Sequence, residues 1–186
     1  MLHTFFKDEC YPCIYINLKN KDKASYTKML KIIKNLAKTK YNLDLNPKVF
    51  FGDFEDGAIK AFYDSFPGIQ FKGCFFHFCQ ALWRKIMKLG LFNQYTNRED
   101  TSVFRWLQLF KGLAFLPLEK FVEGLDYIIK NTPNCNKCTE FQIYFISTWG
   151  NDKANFPPHM WNHWDTYRDR TNNPVEGINL GKYIFD

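Results

Sequence analysis

The stretch Phe50–Leu91, FFGDFEDGAIKAFYDSFPGIQFKGCFFHFCQALWRKIMKLGL, decides how this chain is organised. Lys48–Gly52 is a short, nearly all-apolar run, suited to a strand covered on both faces, and the acid Asp53 follows it. Ala58, Ile59, Phe62 and Phe66 then recur at helical spacing, giving a helix over Phe54–Phe66 that Pro67-Gly68 stops. Gln70–Phe75 reads as the next strand. Phe78–Leu89 reads as an amphipathic helix ended by Gly90. Asp53 therefore stands at one strand end and Cys74-Phe75-Phe76-His77 at another, so an α/β sheet would present both at one edge.

Working outward, Leu2–Phe6 and Pro12–Leu18 read as two strands of a hairpin joined by the polar turn Lys7-Asp8-Glu9. Tyr26, Met29, Leu30, Ile33, Leu36 and Ala37 recur at helical spacing with lysines between them. This predicts a helix over Ser25–Thr39 with Asp22 or Ser25 as its cap. The order through Leu91 is β-β-α-β-α-β-α, which implies right-handed crossovers and a mixed sheet that opens on an antiparallel pair. Beyond Thr101 the pattern turns helical: Val103–Gly112, Leu118–Lys130 and Thr139–Trp149 carry apolar residues at helical spacing. Thr171-Asn172-Asn173-Pro174-Val175-Glu176-Gly177 opens a last helix, with an asparagine cap and Pro174 in the first turn.

With 186 residues, 46% of them hydrophobic, the chain can bury a sizeable core, which excludes global disorder. The formal charge of +6 fits attraction to a polyanion, although the lysines between Lys19 and Lys40 also suit the solvated face of one helix. No apolar stretch approaches the ~20 residues needed to cross a bilayer, and the N-terminus lacks the pattern of a signal peptide. The chain reads as soluble and intracellular, with no membrane partner.

Six cysteines are present: Cys10, Cys13, Cys74, Cys79, Cys135 and Cys138. The two Cys-x-x-Cys pairs have the ligand number and spacing of a four-thiolate zinc site. Against that, cysteines three apart on the strand-like run after Cys10 splay to opposite faces unless Pro12 turns them, and the alternative is small buried apolar side chains.

Gly52-Asp53-Phe54-Glu55 and Gly73-Cys74-Phe75-Phe76-His77-Phe78-Cys79-Gln80-Ala81-Leu82-Trp83-Arg84-Lys85 resemble the catalytic core of Mutator-like element (MULE) transposases. That core carries a D-F-E strand end followed by G-C-x-F-H-F-x-Q-A-x-x-[RK]. Asn172-Asn173-Pro174-Val175-Glu176 resembles the family's N-N-x-x-E segment. The resemblance implies a ribonuclease H-like α/β fold, here with the first strand missing because only two strands precede the first helix. It divides the chain into a sheet part at 1–92, a mainly helical insertion at 93–170, and the start at 171–186 of the helix that bears the last acid.

It also implies DDE-type DNA cleavage and strand transfer using Mg²⁺ or Mn²⁺, with Asp53 and Glu176 as catalytic and metal-binding acids and Cys74 and His77 near the active site. A nuclear location follows from the family. The first acid of the family pattern has no counterpart here, since Asp8 matches no such motif. The expectation is an N-terminally truncated fragment that binds no metal productively and does not cleave DNA. The alternatives are a domesticated, non-catalytic nucleic-acid- or protein-binding module, or a zinc-stabilised binding domain.

Arg84, Lys85 and Lys88 on one helix, with Arg168 and Arg170 before Glu176, are the candidates for phosphate contact. DNA binding from these alone would be weak and non-specific, and oligomerisation is left open. The run His159-x-Trp161-x-His163-Trp164 fits either base stacking or a Trp-rich core edge. His159 and His163, at i and i+4, have the spacing of a metal pair but lack an acid at the spacing that zinc hydrolases use.

Overall fold

The computed structural model describes residues 2–6 and 9–166. These form a mixed α/β chain of two compact units, one built on residues up to Phe71 and the other starting at Lys72.

In the first unit, β1 (Leu2–Phe6) and β2 (Glu9–Ile14) pair antiparallel from Phe6↔Glu9 to Leu2↔Ile14. The second strand thus begins and ends earlier than the apolar run Pro12–Leu18 predicts. Ile14 is paired with Leu2, the first residue of β1. Ile16 and Leu18 pack on the apolar core of the unit instead. The register slips between His3↔Pro12 and Leu2↔Ile14, which leaves Cys13 as the extra residue of a bulge.

Helix α1 (Lys23–Tyr41) starts at its Asp22 cap, whose Oδ1 accepts the Ser25 N–H at 2.7 Å. It ends at Asn42, which takes the left-handed conformation (φ 50°) that asparagine tolerates. Its buried side chains are Met29 and Leu30, whereas Leu36, on the predicted apolar face, is exposed. Strand β3 (Val49–Gly52) leads through Asp53 to α2 (Asp56–Ser65). The helix starts later than predicted because Glu55 is its cap, in a tight turn where the Glu55 N–H donates to the Asp53 carbonyl at 2.7 Å.

α1 and α2 pack together over Met29, Leu30, Ala61, Phe62, Phe66 and Ile69. Phe50 stacks on Phe62 with ring centroids 3.8 Å apart. Gly57 permits the close approach: a Cβ there would lie 3.0 Å from the Lys23 amide nitrogen and 3.1 Å from the Asp22 carbonyl carbon. Strand β4 (Gln70–Gly73) pairs with β3, and the boundary of the two units falls inside it. Among the described residues the strands form two two-stranded sheets, β1-β2 and β3-β4, rather than one mixed sheet.

The second unit is helical: α3 (Phe75–Lys88), α4 (Phe92–Thr96), α5 (Ser102–Gly112), α6 (Phe121–Lys130), α7 (Asn136–Thr148) and α8 (Pro158–Trp161). α3 begins three residues before the predicted Phe78. Its buried stripe Phe78, Leu82 and Ile86 continues one turn back to Phe75, which packs on Phe115 with ring centroids 4.8 Å apart. α4 and α8 are short helices that the periodicity does not reveal. The core is aromatic. Phe78 stacks on Trp161 at 4.5 Å and meets Trp149 edge-on at 5.1 Å, while Phe110 contacts Phe141 and Phe145.

Candidate functional site

Asp53 follows β3 directly and is exposed. Its motif neighbour Glu55 is occupied otherwise. The Glu55 carboxylate accepts the Tyr26 hydroxyl from α1 at 2.9 Å and lies 4.0 Å from the Lys21 ammonium. The Asp-Phe-Glu motif therefore places its acids differently: the Glu55 carboxylate, at the start of α2, ties that helix to α1, and Asp53 is exposed. Burial raises the Tyr26 phenol first, and the hydrogen bond to Glu55 and the charges of Glu55 and Asp53 add to it, pushing it up to about 12. Phe54 meets Phe71 edge-on at 5.9 Å, which fixes the residue between the two acids.

In the second unit Cys74 is the N-cap of α3 and fully buried. His77 lies in the first turn of that helix, half-buried and edge-on to the Phe76 ring at 5.4 Å. The Cys-x-x-His motif is thus a helix start rather than a strand end. The early start of α3 causes this, and it puts the thiol and imidazole three residues apart on one turn. Burial pushes the Cys79 thiol up to about 11, with the Lys111 charge opposing and Cys74 adding, so this cysteine stays a neutral apolar side chain.

Of these motif residues Asp53 offers the oxygen donor that Mg²⁺ takes, whereas the Cys74 thiol and the His77 imidazole are donors that suit zinc.

Arg84, Lys85 and Lys88 all lie on the C-terminal half of α3. Arg84 and Lys88 are exposed and one turn apart, and Arg84 donates to Gln80 Oε1 at 2.6 Å. Lys85 is half-buried with its ammonium 4.9 Å from the Tyr144 ring centre, so part of its charge is engaged within the protein. Arg168, Arg170 and Glu176 lie outside the described residues, as does Asp8.

The aromatic-histidine run resolves as a core edge. Trp161 and His163 are fully buried and Asn162 is nearly so. His163 Nε2 donates to the Gly73 carbonyl at 3.0 Å, and Asn162 Nδ2 donates to the Leu116 carbonyl at 2.7 Å. Lys72 Nζ donates to the Asn162 carbonyl at 3.2 Å. These bonds hold the end of β4 against the segment after α8. His159, by contrast, is exposed, so the i, i+4 histidines do not act as a metal pair. Of the two tryptophans in the run, Trp164, 56% exposed, is the one that remains available for stacking on a base.

With Asp53 at the end of β3 and Cys74 and His77 opening α3, the motif residues that carry the resemblance have their places. A family model, the MULE transposase domain, matches residues 6–81. That segment is similar to a MULE transposase domain. It contains Asp53, Glu55, Cys74 and His77 but spans under half of the chain. No curated protein and no solved structure matches the chain. The family is one of transposases, so divalent metal use and interaction with DNA are what the match suggests. No helix among the described residues is long and apolar enough to cross a membrane.

Sequence reasoning missed the Tyr26–Glu55 bond. The two residues are 29 apart in the chain, and no local pattern pairs them. The signal available was weak: a tyrosine on the apolar face of α1, whose hydroxyl needs a partner when its ring is buried.

Proposed function

We propose that this MULE transposase domain is part of a DDE-type DNA strand-transfer core with a ribonuclease H-like organisation. In this reading Asp53 supplies one carboxylate to a divalent cation and Glu176 supplies another, and Arg84 and Lys88 contact backbone phosphates with help from Arg168 and Arg170. The domain divides into a sheet part at 1–92, a helical insertion at 93–170 and the start of the acid-bearing helix at 171–186. The observation that carries the reading is the Asp53-Phe54-Glu55 turn inside the family match, where Glu55 is spent on Tyr26 and Asp53 faces out.

In two-metal phosphodiester chemistry, the ions clamp the attacking and leaving oxygens of an in-line displacement. Asp53 is a hard oxygen donor that suits Mg²⁺ or Mn²⁺, and its exposure leaves room for water and a phosphate oxygen in the same coordination sphere. Cys74 and His77 are not ligands for such an ion. Their place is to set the start of α3, the helix whose far end carries Arg84 and Lys88. Because the first acid of the DDE pattern has no counterpart among the motifs of this sequence, the chain 1–186 by itself is expected not to cleave DNA.

The test is Mn²⁺ binding to the full chain, followed by electron paramagnetic resonance, beside a plasmid-nicking assay. Binding weakened at least about tenfold by Asp53→Asn, with no nicking by wild type, is the expected result; removing one ligand or its partner typically costs 10–100-fold. Mn²⁺ affinity indifferent to Asp53→Asn would refute the assignment of the acid. Metal-dependent nicking that Asp53→Asn abolishes would refute the inactivity and show that another carboxylate completes the site.

A further inference from the structure

The pair Cys135-Asn136-Lys137-Cys138 is not used by the transposase reading, and it lies outside the family match. Cys135 is the N-cap of α7 and Cys138 stands in the first turn. Three residues apart at a helix start is the spacing at which a cap side chain reaches back over the first turn, so both sulfurs lie on one side. The turn is fixed by two backbone bonds onto the Cys135 carbonyl, from the Cys138 N–H at 2.9 Å and the Thr139 N–H at 3.2 Å. The two thiols stand close enough for each to act on the ionisation of the other. Helical i, i+3 spacing falls within the Cα separation that a disulfide spans, ~4.4–6.8 Å.

Exposure separates their roles. Cys135 is half-exposed, whereas Cys138 is fully buried against the apolar interior that Phe141 and Phe145 continue along the same helix. Their ionisation is split the same way. Burial opposes the Cys135 thiolate, but the amide and thiol of Cys138 with the amide and ammonium of Lys137 outweigh it, and Cys135 is held below the ordinary thiol value. No full cap hydrogen bond reaches the sulfur, so the amides act on it mainly as dipoles at the helix start. Burial first, then the hydrogen bond and charge of Cys135, push Cys138 up to about 12. Cys13, the exposed cysteine of the bulge in β2, lies in no such helix start and serves as an internal comparison.

We propose that Cys135 and Cys138 form a redox-active dithiol whose substrates are low-molecular-weight disulfides. The Cys135 thiolate attacks one sulfur of R–S–S–R. That S–S bond breaks, a Cys135–S–S–R mixed disulfide forms, and the first R–S⁻ leaves and takes up the proton that Cys135 released. Cys138 then loses its proton and attacks the Cys135 sulfur, displacing the second R–S⁻, which that proton neutralises. The protein dithiol loses two electrons and two protons, and the small disulfide gains them as two R–SH. The buried thiol needs no access to the substrate because it attacks only its neighbour.

The experiment uses the full chain, chelator-treated and reduced, at pH 7. Limiting iodoacetamide followed by peptide mass spectrometry is expected to label Cys135 severalfold faster than Cys13. Oxidised glutathione is expected to convert the wild type to a Cys135–Cys138 disulfide, seen as the loss of two hydrogens from one peptide. Cys138→Ser should instead accumulate a glutathione adduct on Cys135, and Cys135→Ser should leave Cys138 unmodified. Equal labelling of Cys135 and Cys13 would overturn the proposal. So would a wild type that stops at the mixed disulfide or fails to react. These wild-type measurements decide the matter even where a variant does not fold.

Discussion

Replacing Tyr26 by Phe removes one oxygen and isolates the bond that orients the Asp53-Phe54-Glu55 turn. The lost interaction is a 2.9 Å hydrogen bond from a phenol to the Glu55 carboxylate. Hydrogen bonds to charged groups contribute ~1.5–3 kcal/mol, and the 29% exposure of the Glu55 side chain places this one at the lower end, about 1.5 kcal/mol. The rise of the phenol to about 12 comes first from burial and only then from this bond and the nearby charges, so it gives the direction of the pH dependence and not the strength of the bond.

The sign follows from which form is favoured. A raised phenol value means that the folded state prefers the neutral hydroxyl. The contribution is complete below pH ~10, where tyrosine in the unfolded chain is neutral, and is lost as pH rises through about 12. Urea denaturation followed by far-ultraviolet circular dichroism should show Tyr26→Phe about 1.5 kcal/mol less stable at pH 7. The gap should narrow between pH 10 and 12. A Glu55→Gln variant should show most of the same loss, and the double variant little more than either single one. Stability within about 0.3 kcal/mol of wild type at pH 7, or a gap unchanged from pH 8 to 12, would refute the reasoning and leave Glu55 free to serve another purpose.

Phe78→Ala should destabilise the helical unit by about 4–5 kcal/mol, the upper part of the range for Phe→Ala, because Phe78 is fully buried and stacks on Trp161; thermal denaturation read by tryptophan fluorescence checks it. If Arg84 and Lys88 contact phosphates, Arg84→Gln with Lys88→Gln should reduce the slope of log affinity against log salt for duplex DNA by about 2, in filter binding across a salt series. A Lys85→Gln variant should change that slope less, since Lys85 already sits over Tyr144. Asn42→Val should cost about 1–2 kcal/mol and Asn42→Gly should not, because the residue ending α1 has φ 50°; chemical denaturation of both variants checks the difference.

The sequence by itself determined what local physics controls. The period of Met29, Leu30, Ala58, Ile59 and Phe62 gave α1 and α2, and Asp22 was one of the two residues that fitted the cap of α1, because periodicity and capping are properties of a few neighbouring residues. The motif segments around Asp53 and Cys74 were enough to show the similarity to the MULE transposase domain, since a match of ordered residue types requires no coordinates. Element ends were less legible. β2 ends at Ile14, opposite Leu2 of its partner strand, and α3 starts at Phe75 because Phe75 finds Phe115 forty residues away.

The same limit governed side chains. Whether Trp161 and His163 stack on a base or fill a core depends on Phe78 and on the Gly73 carbonyl, both remote in the chain. That Glu55 is held by Tyr26 while Asp53 faces outward, and that Cys138 is buried behind a half-exposed Cys135, are likewise decided by packing. Burial and hydrogen-bond partners are set by which distant surfaces meet, and only the tertiary structure brings those surfaces together.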